Sequence, residues 1–119
     1  HGNAMRQARD HWLKQEGGLL TTDYVCCETL TVLRFRLGLN VAEAWWKQIE
    51  TSVRLRIEHI DSIRADKARA IFFRYADKEL SFTDCTSFVV MRELRAVKAL
   101  TLDRHFQQMG FEVIPKIIG

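Results

Sequence analysis

Proline is almost absent from this chain, which carries only Pro115, and no internal repeat or low-complexity tract divides it. Long apolar runs are absent as well: none reaches the length needed to span a bilayer, and no charged segment followed by an apolar h-region marks a secretory signal. With 119 residues, 47% of them hydrophobic, the chain is long enough to bury a core. We therefore expect one domain over residues 1–119 with no membrane association.

Cysteine is scarce. Cys26, Cys27 and Cys85 lie within apolar helical patterns, and the adjacent pair is poorly placed to bridge to itself. This usage favours buried structural thiols over metal ligands or nucleophiles, and it favours a cytoplasmic location. A convincing Ser/His/Asp or Cys/His set for nucleophilic catalysis is also missing. The net charge of +3 and pI near 8.9 permit contact with nucleic acid without demanding it, and there is no basic tail.

The stretch from Leu80 to Pro115 holds the most informative pattern. Ser81 and Asp84 have the spacing of a capping box. The residues that follow make the helix apolar over much of its circumference, which predicts burial on more than one side. These residues are Cys85, Phe88, Val89 and Met91.

A short apolar run, Val97 to Leu102, ends at Asp103 and predicts an interior parallel strand. It opens into a helix over Arg104 to Met109, closed by Gly110. Ligands of open α/β sheets bind beyond the carboxyl ends of strands. Asp84 or Asp103 taken alone is better interpreted as a helix cap. Their occurrence as a pair weakens that interpretation without removing it.

Upstream, we expect a helix between His1 and Gly18, a short strand from Gly18 to Thr21, and a helix that Thr22 or Asp23 caps and that runs to about Leu37. Its predicted core stripe consists of Cys26, Leu30, Leu33 and Leu37. Glu28 lies roughly opposite, near Tyr24, Thr31 and Phe35, in a position predicted to be partly covered. From the helix alone, a solvated glutamate and a functional one are equally good interpretations.

Three further elements complete the pattern. The first is an amphipathic helix, whose apolar face consists of Ala42, Trp45, Trp46 and Ile49. Its two tryptophans either form an association surface or pack on the preceding helix. The second is an edge strand with Val53, Leu55 and Ile57 as its apolar residues. It ends at His59, a residue interpreted as structural. The third is a helix capped by Asp61, with an inner face of Ala68, Ile71, Phe72 and Tyr75 and an outer basic face of Arg64, Lys67, Arg69 and Arg74. That basic face is either solvated or a contact for a phosphate backbone.

A final strand is expected at Phe111, Val113 and Ile114. The alternation of strands and helices predicts an α/β fold, a three-layer sandwich with a mainly parallel central sheet.

Two blocks of this sequence, LLTTDYVCCETLTVLRFRLG and SFTDCTSFVVMRELRAVKALTLDRHFQQMGF, resemble the PIN domain family, the nuclease fold of the VapC toxins. Together the blocks and their spacing cover nearly the whole chain. The resemblance implies that Glu28, Asp84 and Asp103 converge as catalytic metal ligands, and that Arg104 contacts substrate phosphate. Clustered carboxylates stay ionised together when a cation shares the site, and oxygen ligands select Mg²⁺ or Mn²⁺.

The implied function is a metal-dependent endoribonuclease, the toxin of a bacterial toxin and antitoxin pair. Its expected partners are an RNA substrate, a small antitoxin protein and a second copy of the chain. The alternative is a noncatalytic RNA-binding or scaffold domain with the same fold.

The sequence departs from the family in one respect. PIN domains that resemble it begin with an apolar strand that ends in an Asp and lies in the middle of the sheet, and nothing before His1 supplies either. We therefore expect upstream residues in the biological chain, and we expect the strands that begin at Leu19 and Val97 not to pair directly with each other.

Overall fold

The computed structural model describes residues 19–96, 98–100, 106 and 108–114. The predicted helix between His1 and Gly18 lies outside these residues, as does much of the helix predicted from Arg104. The elements in chain order are β1 (Leu19–Thr22), α1 (Asp23–Leu37), α2 (Leu39–Thr51), β2 (Leu55–Glu58), α3 (Ser62–Arg74), α4 (Phe82–Glu93), β3 (Lys98–Leu100) and β4 (Glu112–Ile114). None of the helices in this part of the chain has the length and apolar character that a membrane crossing requires.

The described strands pair in parallel, which confirms the predicted α/β class. β1 pairs with β2, with Leu19 opposite Leu55, and β3 pairs with β4, with Lys98 opposite Glu112. These strands form two separate pairs rather than one continuous sheet. β1 and β3 therefore belong to different pairs, as expected for the strands that begin at Leu19 and Val97. The upstream strand between them stays a prediction.

Side-chain caps begin three of the helices. The Val25 N–H donates to the Thr22 hydroxyl at 3.2 Å, so Thr22 rather than Asp23 caps α1. The Asp61 carboxylate accepts the Arg64 N–H, and the Ser81 hydroxyl accepts the Asp84 N–H at 3.0 Å. Each bond satisfies a backbone donor that the first turn leaves without a partner. The predicted caps of α3 and α4 are confirmed.

The core centres on α4. Phe88 is fully buried, and its ring centroid lies 4.7 Å from that of Phe106 and 5.7 Å from that of Phe111. α3 packs beside α4 and contributes Ala68, which is also fully buried. Burial on several sides was predicted for α4, and its buried residues confirm it: Cys85, Thr86, Phe88, Val89, Val90 and Met91.

Several side chains predicted to be buried are exposed. Leu37 is 63% exposed because it is the last residue of α1, beyond the part that packs on the core. Val53 is 99% exposed because it lies in a turn, and the strand begins only at Leu55. Phe72 is 38% exposed, and Cys27 is exposed while Cys26 and Cys85 are buried. Two of the three thiols therefore fit the structural interpretation.

Arg95 adopts a backbone conformation that favours glycine, with φ at +56° just after α4. The Ala96 N–H donates to the Met91 carbonyl across this turn at 2.8 Å, which closes the helix end.

Arg95→Gly should raise the free energy of unfolding by up to about 1 kcal/mol, because glycine has no Cβ to strain this conformation. Chemical denaturation measures the change. Arg92→Gly inside the last turn of α4 should destabilise by a similar amount, and stabilisation by both variants would contradict the strain argument.

Candidate active site

The first turns of α1 and α4 lie side by side. The ring centroids of Tyr24 in α1 and Phe82 in α4 are 6.1 Å apart, and α4 also contacts β1. Both helices begin here at a hydroxyl cap, Thr22 for α1 and Ser81 for α4. Helix N-termini favour nearby negative charge. The junction therefore suits carboxylates and the groups they bind.

Asp84 is the third residue of α4 and is half-buried at this junction. Its backbone N–H bonds to the Ser81 hydroxyl, which holds the first turn in place. The neighbouring Cys85 thiol is fully buried, and burial, with a smaller contribution from the Asp84 charge, raises its pKa to about 11. Cys85 is therefore protonated at neutral pH, which excludes a thiolate nucleophile at this position.

Glu28 lies one helical turn after Tyr24 in α1. Residues four apart share a helix face, so Glu28 lies on the side of α1 whose first turn contacts α4. Glu28 is exposed, and Phe35 is 82% exposed. The predicted partial cover by aromatic neighbours is therefore wrong, because no element of the described chain packs over Phe35. Glu28 is a solvated carboxylate.

The structure brings together the elements that carry two of the three predicted ligands. Asp103 and Arg104 lie outside the described residues. Within the described ranges, no three side chains among His, Cys, Asp and Glu are grouped closely enough to hold a metal ion. The three-carboxylate site and the phosphate contact by Arg104 stay predictions.

Asp23 joins the ends of β1 and β2, a role that the sequence did not reveal. Its Oδ1 accepts the Ile60 N–H at 3.0 Å, and its Oδ2 lies 3.4 Å from Nδ1 of His59. Asp23 therefore links the start of α1 to the segment that follows β2. The His59 side chain is mostly exposed, and its contact with Asp23 belongs to this link between α1 and the end of β2, which agrees with its predicted structural role.

Arg64 was predicted on the outer basic face, and this prediction is wrong. Its side chain is only 16% exposed because the guanidinium donates to acceptors on three residues, two of them adjacent in the chain. Nη1 donates to the His59 carbonyl at 2.8 Å, Nη2 to Glu58 Oε1 at 2.9 Å, and Nε to Glu93 Oε2 at 2.9 Å. The network ties β2 and α3 to the end of α4. Arg64 is not available for a phosphate backbone.

This network makes stability depend on pH. Hydrogen bonds from Arg64, and secondarily from Arg56, lower the pKa of Glu58. A lowered pKa in the folded state adds stability above the unfolded-state pKa, about 4.3, and that stability is lost as pH falls through the folded-state value. Glu58→Gln should therefore destabilise the protein at pH 7, and the difference from the unsubstituted protein should vanish in strong acid. Urea denaturation across pH measures this.

The control for that experiment is Glu43→Gln, which removes a carboxylate from an exposed pair with Lys47 in α2. Such surface pairs contribute at most about 0.5 kcal/mol. A destabilisation by Glu58→Gln that stayed constant down to the lowest pH would show that the charge of Glu58 does not matter.

Comparison with known proteins gives a consistent set of matches. A family model described as PIN domain matches residues 3–112, a range that includes Glu28, Asp84 and Asp103. The 23S rRNA-specific endonuclease VapC20 of Mycobacterium tuberculosis, in strains CDC 1551 and H37Rv, is 34% identical over 117 residues, 98% of this chain and 86% of the relative. A crystal structure of Mycobacterium tuberculosis VapC20, described as a Sarcin-Ricin loop cleaving toxin, has a TM-score of 0.78 and 32% identity, covering 87% of this chain and 78% of that one.

Proposed function

Since this chain belongs to the PIN domain family, as its two sequence blocks predicted, we propose that it is a metal-dependent endoribonuclease. We infer further that it is the toxin of a bacterial toxin and antitoxin pair, because its relative VapC20 is a toxin endonuclease at 34% identity. The observation that carries the proposal is the junction of two capped helices, where Glu28 and Asp84 lie on adjacent elements.

The donor set fits a hard divalent cation. Glu28, Asp84 and Asp103 would supply carboxylate oxygens, which Mg²⁺ and Mn²⁺ prefer over nitrogen or sulfur ligands. When bound, such an ion lowers the pKa of a water and stabilises negative charge on a phosphodiester. Asp84 lies in the first turn of α4, where the helix N-terminus interacts favourably with negative charge. The mechanism needs no protein nucleophile, which is consistent with the protonated state of Cys85.

Substrate recognition is the next part of the proposal. The relative is specific for 23S rRNA and cleaves the sarcin-ricin loop. We propose an unpaired or looped RNA segment as the substrate class, since sequence-specific proteins read RNA where its bases are unstacked. Arg104, beside Asp103, would contact the phosphate backbone.

The hairpin of α1 and α2 is the proposed partner surface for the antitoxin or for a second copy of this chain. Large apolar side chains are exposed along it: Val32, Phe35, Leu37, Leu39 and Val41. Trp45 and Trp46 are half-buried, with ring centroids 6.4 Å apart. Exposed large apolar side chains grouped on one hairpin are typical of protein interfaces. Mass spectrometry of the protein purified from its own cells should identify a small copurifying protein.

The cleavage assay tests the function directly. Purified protein stripped with EDTA should leave an RNA hairpin intact, and added Mn²⁺ or Mg²⁺ should restore cleavage. Cleavage that persists in excess EDTA would contradict metal dependence. RNA binding without cleavage at any metal concentration would support the alternative, a noncatalytic RNA-binding domain.

A further inference from the structure

Four aromatic rings run from the junction of α1 and α4 to the end of α3, and we refer to them as the aromatic row. Successive ring centroids are 6.1 Å apart from Tyr24 to Phe82, 6.1 Å from Phe82 to Phe72, and 5.2 Å from Phe72 to Phe73. Phe82 lies two residues before Asp84 in the same helical turn. The row therefore connects the candidate active site to Phe73.

Phe73 is the exposed end of the aromatic row. It is 77% exposed, whereas Phe72 is 38% exposed and Phe82 is half-buried. The Phe72 and Phe73 rings meet nearly perpendicularly, at 86°, a favourable edge-to-face arrangement. The partly exposed Phe72 ring thus contacts a ring whose surface is open to solvent. The exposed face of such a ring can bind a flat apolar group.

The charge beside this ring favours a nucleic acid as the ligand. Arg74 is exposed, its guanidinium lies 5.6 Å from the Tyr75 ring centroid, and it makes no ion pair with a carboxylate within the described part of the chain. Lys78 in the following turn is different, because it pairs with Asp77 at 3.0 Å. Arg74 directly follows Phe73 in the chain and is therefore a cation without a carboxylate partner, among the described residues, at the exposed end of the aromatic row. An exposed aromatic ring can stack on a base while an arginine of the same helix end contacts the phosphate backbone.

We propose that Phe73 stacks on an unpaired nucleobase of the RNA substrate, close to the scissile phosphate, while Arg74 contacts the adjoining backbone. The proposal rests on the proposed function, and it adds a base-binding position outside the carboxylate site. Phe73 is at the solvent end of the row, so stacking there would extend the row by one base. A protein partner could instead cover this ring, and the experiment separates the two.

The experiment measures RNA binding in the noncleaving Asp84→Asn background, so it does not depend on catalysis. The probes are RNA hairpins that carry 2-aminopurine at one loop position each, because the fluorescence of this base is quenched when it stacks. Phe73→Ala should weaken binding about fivefold or more and abolish the quenching, since stacking on an aromatic ring changes affinity by roughly 5- to 150-fold per base. Phe73→Trp should restore both.

Ile63→Ala is the matched control. It removes another exposed apolar side chain from α3, 64% exposed and near the opposite end of the helix. It should leave binding and quenching unchanged. In the cleaving protein, Phe73→Ala should raise KM with little change in kcat. Unchanged affinity and quenching in Phe73→Ala would overturn the proposal. An equal loss of RNA affinity in Phe73→Ala and Ile63→Ala, together with a reduced mass in sedimentation, would also overturn it, because that result indicates a protein interface.

Discussion

Asp84→Asn should abolish RNA cleavage while leaving the fold intact. The substitution keeps the size of the side chain and the backbone N–H that bonds to the Ser81 hydroxyl, so α4 keeps its cap. It removes the negative charge that the proposed metal site requires. Removing a side chain that only orients a metal ligand lowers metal affinity or activity about 10- to 100-fold. Removing a metal ligand itself should therefore lower the cleavage rate at least about 100-fold. Single-turnover cleavage of an RNA hairpin in Mn²⁺ measures the effect.

The control for this experiment is Asp66→Asn. Asp66 lies on the outer face of α3, its side chain is 72% exposed, and it pairs with Arg69. The net charge changes equally in the two variants, but Asp66 is not part of the candidate site. Cleavage should be unchanged in Asp66→Asn, and circular dichroism should be unchanged in both. Full cleavage activity in Asp84→Asn would contradict the assignment of Asp84 as a metal ligand.

Phe88→Ala should cost about 3–5 kcal/mol of unfolding free energy, the range for large aromatic residues removed from a core. Phe88 is fully buried and contacts the rings of Phe106 and Phe111, so its loss leaves a cavity bounded by rings from the C-terminal part of the chain. Urea denaturation measures the change. Phe35→Ala, with its ring 82% exposed, should change stability by less than about 0.5 kcal/mol. A cost below about 1 kcal/mol for Phe88→Ala would contradict its place at the centre of the core.

Local patterns in the sequence predicted local structure well. The capping residues Ser81 and Asp61 form the predicted bonds, because a cap depends on residues only three apart. α4 was predicted to be buried on several sides, since its apolar residues surround the helix, and this is confirmed. The PIN-type resemblance extended these local predictions to the fold class. It could do so because two blocks far apart in the chain matched together.

Contacts between distant segments were beyond prediction. Arg64 lies 29 residues before Glu93, and nothing in the spacing of α3 shows that the guanidinium turns toward the end of α4. Asp23 and Ile60 are separated by 37 residues, and the acid looked like a cap because it begins a helix. Glu28 was predicted to be partly covered because aromatic residues share its helix face, yet cover requires another element to pack there. Phe35 has none in the described chain.

Metal binding tests the central claim most directly, namely that Glu28, Asp84 and Asp103 share one divalent cation. Titration with Mn²⁺, followed by electron paramagnetic resonance of the free ion, gives the affinity and the number of sites without any RNA. The account predicts one site in the unsubstituted protein, and a clear loss of affinity in each of Glu28→Gln, Asp84→Asn and Asp103→Asn, with Asp66→Asn unchanged. Equal Mn²⁺ affinity in all four variants and the unsubstituted protein would contradict it.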